Sequence, residues 1–370
     1  MVNQLSAGVD LFFVLSGVVL GRSFFKSHTQ NKQHGLRLFY LSRLVRIGPP
    51  YWIALFLVLI FFTPNFIDAQ LVFSAQGLER LFVFGTFMQS FDPISFGAFG
   101  VISPYWTLSI EIVFYLLLPA IVLLIERIGS ALTIFIAYTI SFSWLGFVAL
   151  KAPWLSDLLQ SFSTAHGVSQ SKEFVLFMLS HQIPQYLPHF AIGTAIGMRL
   201  TNRREAYSVG ASKTMLLVYV VSLLGVLYFL GTLSLRGGFY NPLVYIDLGN
   251  WQKACYFFGE SSIYAFIFGG LCLASARIAE IGVWSKGLGY YGKIGYSVYL
   301  LHMPLLFAVI RTELFQRIAA SGGLRFVWLS LLTLGLITLI SHGYYIAVEK
   351  PMHSLGTRIR VSGLKHAVDN

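Results

Sequence analysis

Charge is what this chain has least of. Only 11% of its 370 residues are Asp, Glu, Lys or Arg, and the acids number 15. Soluble domains carry about 25% charged residues. With 56% hydrophobic content and a mean hydropathy of +0.71, an ordinary soluble globule is excluded and a membrane protein is expected. Cysteine is nearly absent. Cys255 and Cys272 fall in one expected helix, about 25 Å apart along its axis, which excludes a disulfide between them. The sequence has no Walker-type loop, no metal-ligand cluster and no Gly-x-Ser-x-Gly elbow, so the enzyme classes built on those are set aside. There is also no internal repeat, low-complexity stretch or soluble appendage, and residues 1–370 read as a single membrane domain.

What is present is a series of long apolar runs. Spans are expected near 8–25, 47–63, 105–125, 131–150, 174–198, 214–235, 254–276, 294–311 and 325–347. The fold class is therefore all-α, a polytopic transmembrane helical bundle of about nine spans. The piece LERLFVFGTFMQ is short for a span and suggests a re-entrant or interfacial segment. The 26 basic residues gather in short loops between apolar runs, the pattern of membrane topology rather than nucleic-acid binding. Residues 22–46 carry Arg22, Lys26, Lys32, Arg37, Arg43 and Arg46 without an acid, and are expected on the cytoplasmic side. Residues 64–104 carry Asp68, Glu79 and Asp92 against Arg80, and are expected outside. Alternation then places the basic 351–370 tail in the cytoplasm, but residue 1 outside; an even number of spans with both ends inside is simpler. The first run, GVDLFFVLSGVVLGRSFF, lacks a basic flank and a cleavage site, and reads as a retained span rather than a leader.

Several polar residues interrupt these runs. Glu111 lies within SPYWTLSIEIVFYLLLPAIVLLI, with Thr107 and Tyr115 four residues to either side on the same helical face. A carboxylate at that depth is costly unless paired, protonated or hydrated. It serves either chemistry or helix packing. His302 precedes Pro304, which frees a backbone carbonyl and bends its helix, and Tyr299 shares its face. Its imidazole is either a general acid–base or a hydrogen-bonded packing residue. Arg43 and Arg46, spaced i and i+3 at a helix entry, suit phosphate recognition by guanidinium or simple headgroup contact. Asp10 stands at the outer entrance of the first span, above a glycine, Gly17, that permits close helix contact. His342 and Glu349 read as structural, with Glu349-Lys350-Pro351 as a helix end.

Taken together, GVDLFFVLSG, RLVRIGPPYW, PYWTLSIEIVFYLLLP, LPHFAIGTAIG, IGYSVYLLHMP and VEKPMHSL resemble, in order from Gly8 to Leu355, the acyltransferase 3 family of integral membrane O-acyltransferases. The resemblance implies a multi-pass enzyme of the bacterial cytoplasmic membrane. It would move an acyl group, often acetyl, from cytosolic acyl-CoA to a hydroxyl of a surface or exported carbohydrate or glycolipid. No permanently bound cofactor or metal is implied; acyl-CoA is a substrate. Arg43 and Arg46 match the family's donor-side Arg-x-x-Arg pair. Pro104, Trp106, Leu108 and Glu111 match its Pro-x-Trp-Ser-Leu-x-x-Glu element, with Thr107 in place of Ser. Asp10 and Ser16 match Asp-Leu-Phe-Phe-Val-Leu-Ser-Gly, and Ser297, Tyr299, His302 and Pro304 match the late Ser-x-Tyr-Leu-x-His-x-Pro element. The family's pattern starts one helix earlier, with a His on that helix taking part in catalysis. Either the start lies upstream or that element is lost, and one more helix would make about ten spans with both ends inside.

The resemblance implies roles as follows. Arg43 and Arg46 bind the phosphates of the donor. Glu111 orients the base or the incoming hydroxyl, and His302 is the best remaining base. Asp10 belongs to the catalytic set, and Ser16, Trp106, Thr107, Ser297 and Tyr299 support it; Tyr115 joins the supporting set by its spacing from Glu111 alone. Two other readings remain. Pro- and Gly-broken helices with buried charge also mark transporters and flippases, which would move substrate without acylating it. A non-catalytic relative would bind acyl-CoA without turnover.

Overall fold

The computed structural model describes residues 7–30, 35–66, 74–96, 100–167, 172–201, 263–273, 275, 285–321 and 323–366. These residues are almost entirely helical, with no strand among them. The helices are α1 (Ala7–Gln30), α2 (Gly35–Phe66), α3 (Ala75–Gly85), α4 (Trp106–Ile128), α5 (Ser130–Ala165), α6 (Lys172–Ser180), α7 (Ile183–Thr201), α8 (Ile263–Leu273), α9 (Ser285–Ile310), α10 (Glu313–Ser321), α11 (Gly323–Tyr344) and α12 (Lys350–His366). A 3-10 turn, Gly100–Tyr105, leads into α4, and a π turn, Tyr345–Glu349, joins α11 to α12. Six stretches among the described residues are long and apolar enough to cross a bilayer: Gly8–Thr29, Leu36–Phe61, Trp106–Ile128, Ser130–Lys151, Gly289–Ile310 and Gly323–Ile359. The chain is thus an all-α polytopic membrane protein. The expected span 214–235 and Cys255 lie outside the described residues, and of 254–276 only 263–273 and 275 are described.

Three local features differ from the sequence reading. The expected span 174–198 is broken at His181-Gln182 into α6 and α7. Pro184, the second residue of α7, supplies no N–H to a continuous helix and disfavours helical geometry at the residue before it. The chain end at the break is held by side chains: Gln182 Nε2 donates to Met178 O (2.8 Å) and Ser90 O (2.9 Å). Secondly, the basic stretch 22–46 is mostly helix, since α1 runs on to Gln30 and α2 starts at Gly35. Thirdly, Glu349-Lys350-Pro351 is not a helix end. The helix continues through the π turn, where the Lys350 N–H bonds to Tyr345 O, and Pro351, which has no N–H to give to the preceding turn, follows directly as the second residue of α12.

The chain forms two compact units: Met1–Gln30, Ser90–Phe96 and Thr107–Gly282; and Asn31–Gln89, Gly97–Trp106 and Val283–Asn370. In the first unit α1 and α7 run in parallel at backbone contact. Each carries a small-residue pair four apart, Gly17/Gly21 and Gly193/Gly197. A methyl group on Gly193 would lie 2.3 Å from Val14 O, and one on Gly197 2.3 Å from Val18 O, so no larger residue fits. Aromatic rings extend the contact to α4: Phe13 meets Tyr186 and Phe190, and Phe190 stacks on Phe114 at 3.8 Å between centroids.

In the second unit, tyrosines bond to backbone carbonyls. Pro304 cannot donate to Leu300 O, four residues earlier, and the freed carbonyl instead accepts from the Tyr105 hydroxyl at 2.7 Å. Tyr296 donates to Ile47 O (3.0 Å), Tyr51 to Phe84 O (3.0 Å), Tyr344 to Pro50 O and Tyr299 to Pro104 O. These bonds tie α2, α3, the 3-10 turn, α9 and α11 into one packed body.

Candidate active site

The first unit holds the intramembrane carboxylate. Glu111 is buried on α4, and its Oε1 accepts from the Tyr115 hydroxyl at 2.7 Å, one turn along the same helix. The same oxygen accepts from the Ser16 hydroxyl of α1 at 3.3 Å, a bond between residues 95 apart in sequence. Two hydroxyls aimed at one oxygen stabilise negative charge there and hold the carboxylate to a single orientation. Thr107 is buried one turn before Glu111, and Ser109 receives the Ser90 backbone N–H at 3.3 Å. The stripe expected from spacing therefore exists, and Ser16 joins it from another helix.

Asp10 acquires a partner that spacing did not reveal. His189 of α7 is fully buried, and its Nε2 lies 2.9 Å from Asp10 Oδ1, a contact of ion-pair length with the ring out of line for a hydrogen bond. In sequence, His189 is one more residue of LPHFAIGTAIG. The signal that could have found the pair is the matching Gly-x-x-x-Gly spacing on the two helices. Aligning Gly17 with Gly193 puts Asp10 level with Tyr186, within one turn of His189.

The remaining sequence-derived residues belong to the second unit. Arg43 and Arg46 are half-buried on α2, and the Arg43 guanidinium lies 5.5 Å from the centroid of the Phe39 ring. Ser297 is fully buried and donates to Glu349 Oε2 twice, through Oγ at 2.6 Å and the backbone N–H at 3.2 Å. Trp106 is buried where the 3-10 turn becomes α4, and Tyr299 fixes that turn through Pro104 O. His302 is half-buried, with Nδ1 2.7 Å from Tyr299 O and 3.2 Å from Val298 O. A carbonyl only accepts, so the ring's proton sits on Nδ1 and Nε2 carries the lone pair, the tautomer of a general base. Glu111 and His302 thus fall in separate units, each with its own set of partners.

A polytopic helical membrane protein with a hydroxyl-bound intramembrane carboxylate, a paired Asp–His and an arginine pair is the class these observations define. Over residues 3–342 the sequence matches the family described as an acyltransferase domain, and the chain belongs to that acyltransferase 3 family. A stretch of 122 residues is 30% identical to the peptidoglycan O-acetyltransferase OatA of Listeria monocytogenes. The match covers 31% of this chain and only 19% of that relative's length. No solved structure matches the chain.

Proposed function

We propose that the protein transfers an acyl group, most simply acetyl, from acyl-CoA to a hydroxyl of a surface or exported carbohydrate. The site would be the bacterial cytoplasmic membrane, with the C-terminus in the cytoplasm. Family membership supports acyl transfer, and the matched relative is an O-acetyltransferase acting on peptidoglycan. The single observation that carries the assignment to a particular site is the buried Glu111 carboxylate, drawn to one orientation by Ser16 and Tyr115. A carboxylate held by two hydroxyls is prepared to accept a hydrogen bond from a substrate hydroxyl or to orient a base.

In this reading the donor's phosphates meet Arg43 and Arg46, whose planar, permanently charged groups suit phosphate oxygens. The acceptor hydroxyl loses its proton as its oxygen bonds to the thioester carbonyl carbon, and the C–S bond breaks to release coenzyme A as the thiol. His302 Nε2 is the base assigned to that proton, and the Asp10–His189 pair a second acid–base couple. Ser297 and Tyr299 hold the backbone that carries His302.

The test uses membranes expressing the chain, incubated with acetyl-CoA labelled in its acetyl group. Glu111-dependent appearance of an alkali-labile ester on glycan supports the proposal. Substrate flux across the membrane without an acylated product would establish the transporter reading instead.

A further inference from the structure

The π turn determines which residues of α12 face α2. An α-helix turns about 100° per residue, so Tyr344 and Gly356, twelve residues apart, would sit about 120° apart on an uninterrupted helix. A π turn acts as a one-residue insertion and takes back about 100° of that rotation. Both residues then face α2: Tyr344 donates to Pro50 O, and a methyl on Gly356 would lie 2.9 Å from Ser42 O. The two contacts fix an antiparallel register, with position 344 beside 50 and 356 beside 42. Between them, His353 of α12 comes alongside Arg43 and Arg46.

The geometry points to His353 of α12 as a third group of the phosphate site that Arg43 and Arg46 of α2 are proposed to form, with the buried Glu349 carboxyl behind it. His353 is exposed and within electrostatic range of both guanidiniums, and Glu349 is within range of Arg46. Glu349 cannot swing away, because Ser297 holds its Oε2 through two hydrogen bonds. Three cationic or N–H-donating groups from two helices, braced by one immobile carboxylate, match a ligand bearing more than one phosphate. A single helix-end arginine pair would serve a passing headgroup equally well. The close approach at Gly356, which admits no side chain, is what brings the third donor in.

This inference rests on the donor reading above and assigns His353 to the recognition of coenzyme A phosphates. An anionic lipid headgroup offers the same chemistry, so the experiment separates the two sources. Coenzyme A binding is measured by calorimetry on the full chain in nanodiscs, once in pure phosphatidylcholine and once with phosphatidylglycerol added. His353→Ala is expected to weaken coenzyme A binding about tenfold in both lipids, the loss of one charge-assisted contact. His353→Arg is expected to restore it, which a merely structural role would not allow. Unchanged affinity in His353→Ala, while the unsubstituted chain binds, overturns this inference and leaves the donor reading standing. A His353→Ala effect seen only with phosphatidylglycerol assigns the residue to lipid and overturns it too. If the unsubstituted chain binds no coenzyme A in either lipid, the donor reading itself falls, and this site with it.

Discussion

At the scale of single residues, polar groups inside a bilayer must find their partners within the protein. Glu111 receives the Tyr115 hydroxyl at 2.7 Å and the Ser16 hydroxyl at 3.3 Å. Hydrogen bonds to charged groups contribute about 1.5–3 kcal/mol, so Tyr115→Phe is expected to cut transfer about ten- to a hundredfold. The check is the initial rate of label incorporation at matched protein level. Ser16→Ala, removing the longer bond, is expected to cost less than Tyr115→Phe. The reverse order would mean the bond between helices matters more than the one along α4. How much of this was legible varies by residue. Tyr115 could be read from spacing, because i and i+4 share a helical face. Ser16 could not be paired with Glu111, because nothing in the sequence encodes which turn of α1 meets which turn of α4. The Asp10–His189 pair was missed because each member reads as an isolated polar residue, although the Gly-x-x-x-Gly spacing on the two helices hinted at their contact.

At the scale of elements, proline and glycine decide the geometry. Pro304 frees Leu300 O, and Tyr105 takes it up. Tyr105→Phe leaves that buried carbonyl unsatisfied, a cost of about 1–3 kcal/mol. A lowered thermal midpoint in detergent is the expected result, and an unchanged midpoint would show the carbonyl satisfied by another route. Gly193→Ala places a methyl 2.3 Å from Val14 O and is expected to destabilise by about 1–3 kcal/mol, as overpacking does. Gly335→Ala on α11 meets nothing within 4 Å and is expected to leave the midpoint unchanged or slightly raised. A similar fall for both variants would contradict the parallel α1–α7 contact. The long apolar helices were legible because hydropathy reports burial in lipid directly. The break at His181-Gln182 was not, because an apolar run of that length reads as one span and Pro184 alone does not fix where the chain turns. The π turn was missed because Glu349-Lys350-Pro351 carries every local sign of a helix end. Contacts far away in sequence, with α2 and through Ser297 of α9, accompany the helix where it continues.

At the scale of the whole molecule, the candidate residues are divided between two compact units, each made of separate stretches of the sequence. One carries the carboxylate set Ser16, Glu111 and Tyr115 with the Asp10–His189 pair. The other carries Arg43, Arg46 and His353, together with His302 and its supporting tyrosines. Family membership was legible because several short motifs recur in order along nearly the whole chain, and the match over residues 3–342 bears this out. The most direct measurement is acyl transfer by the purified chain in proteoliposomes, supplied with acetyl-CoA and a soluble glycan acceptor. Free thiol and glycan ester are quantified together. The account predicts one thiol released per ester formed, with both lost in Glu111→Gln while coenzyme A binding is kept. Coenzyme A bound without ester formation, or ester formation indifferent to Glu111→Gln, would contradict it.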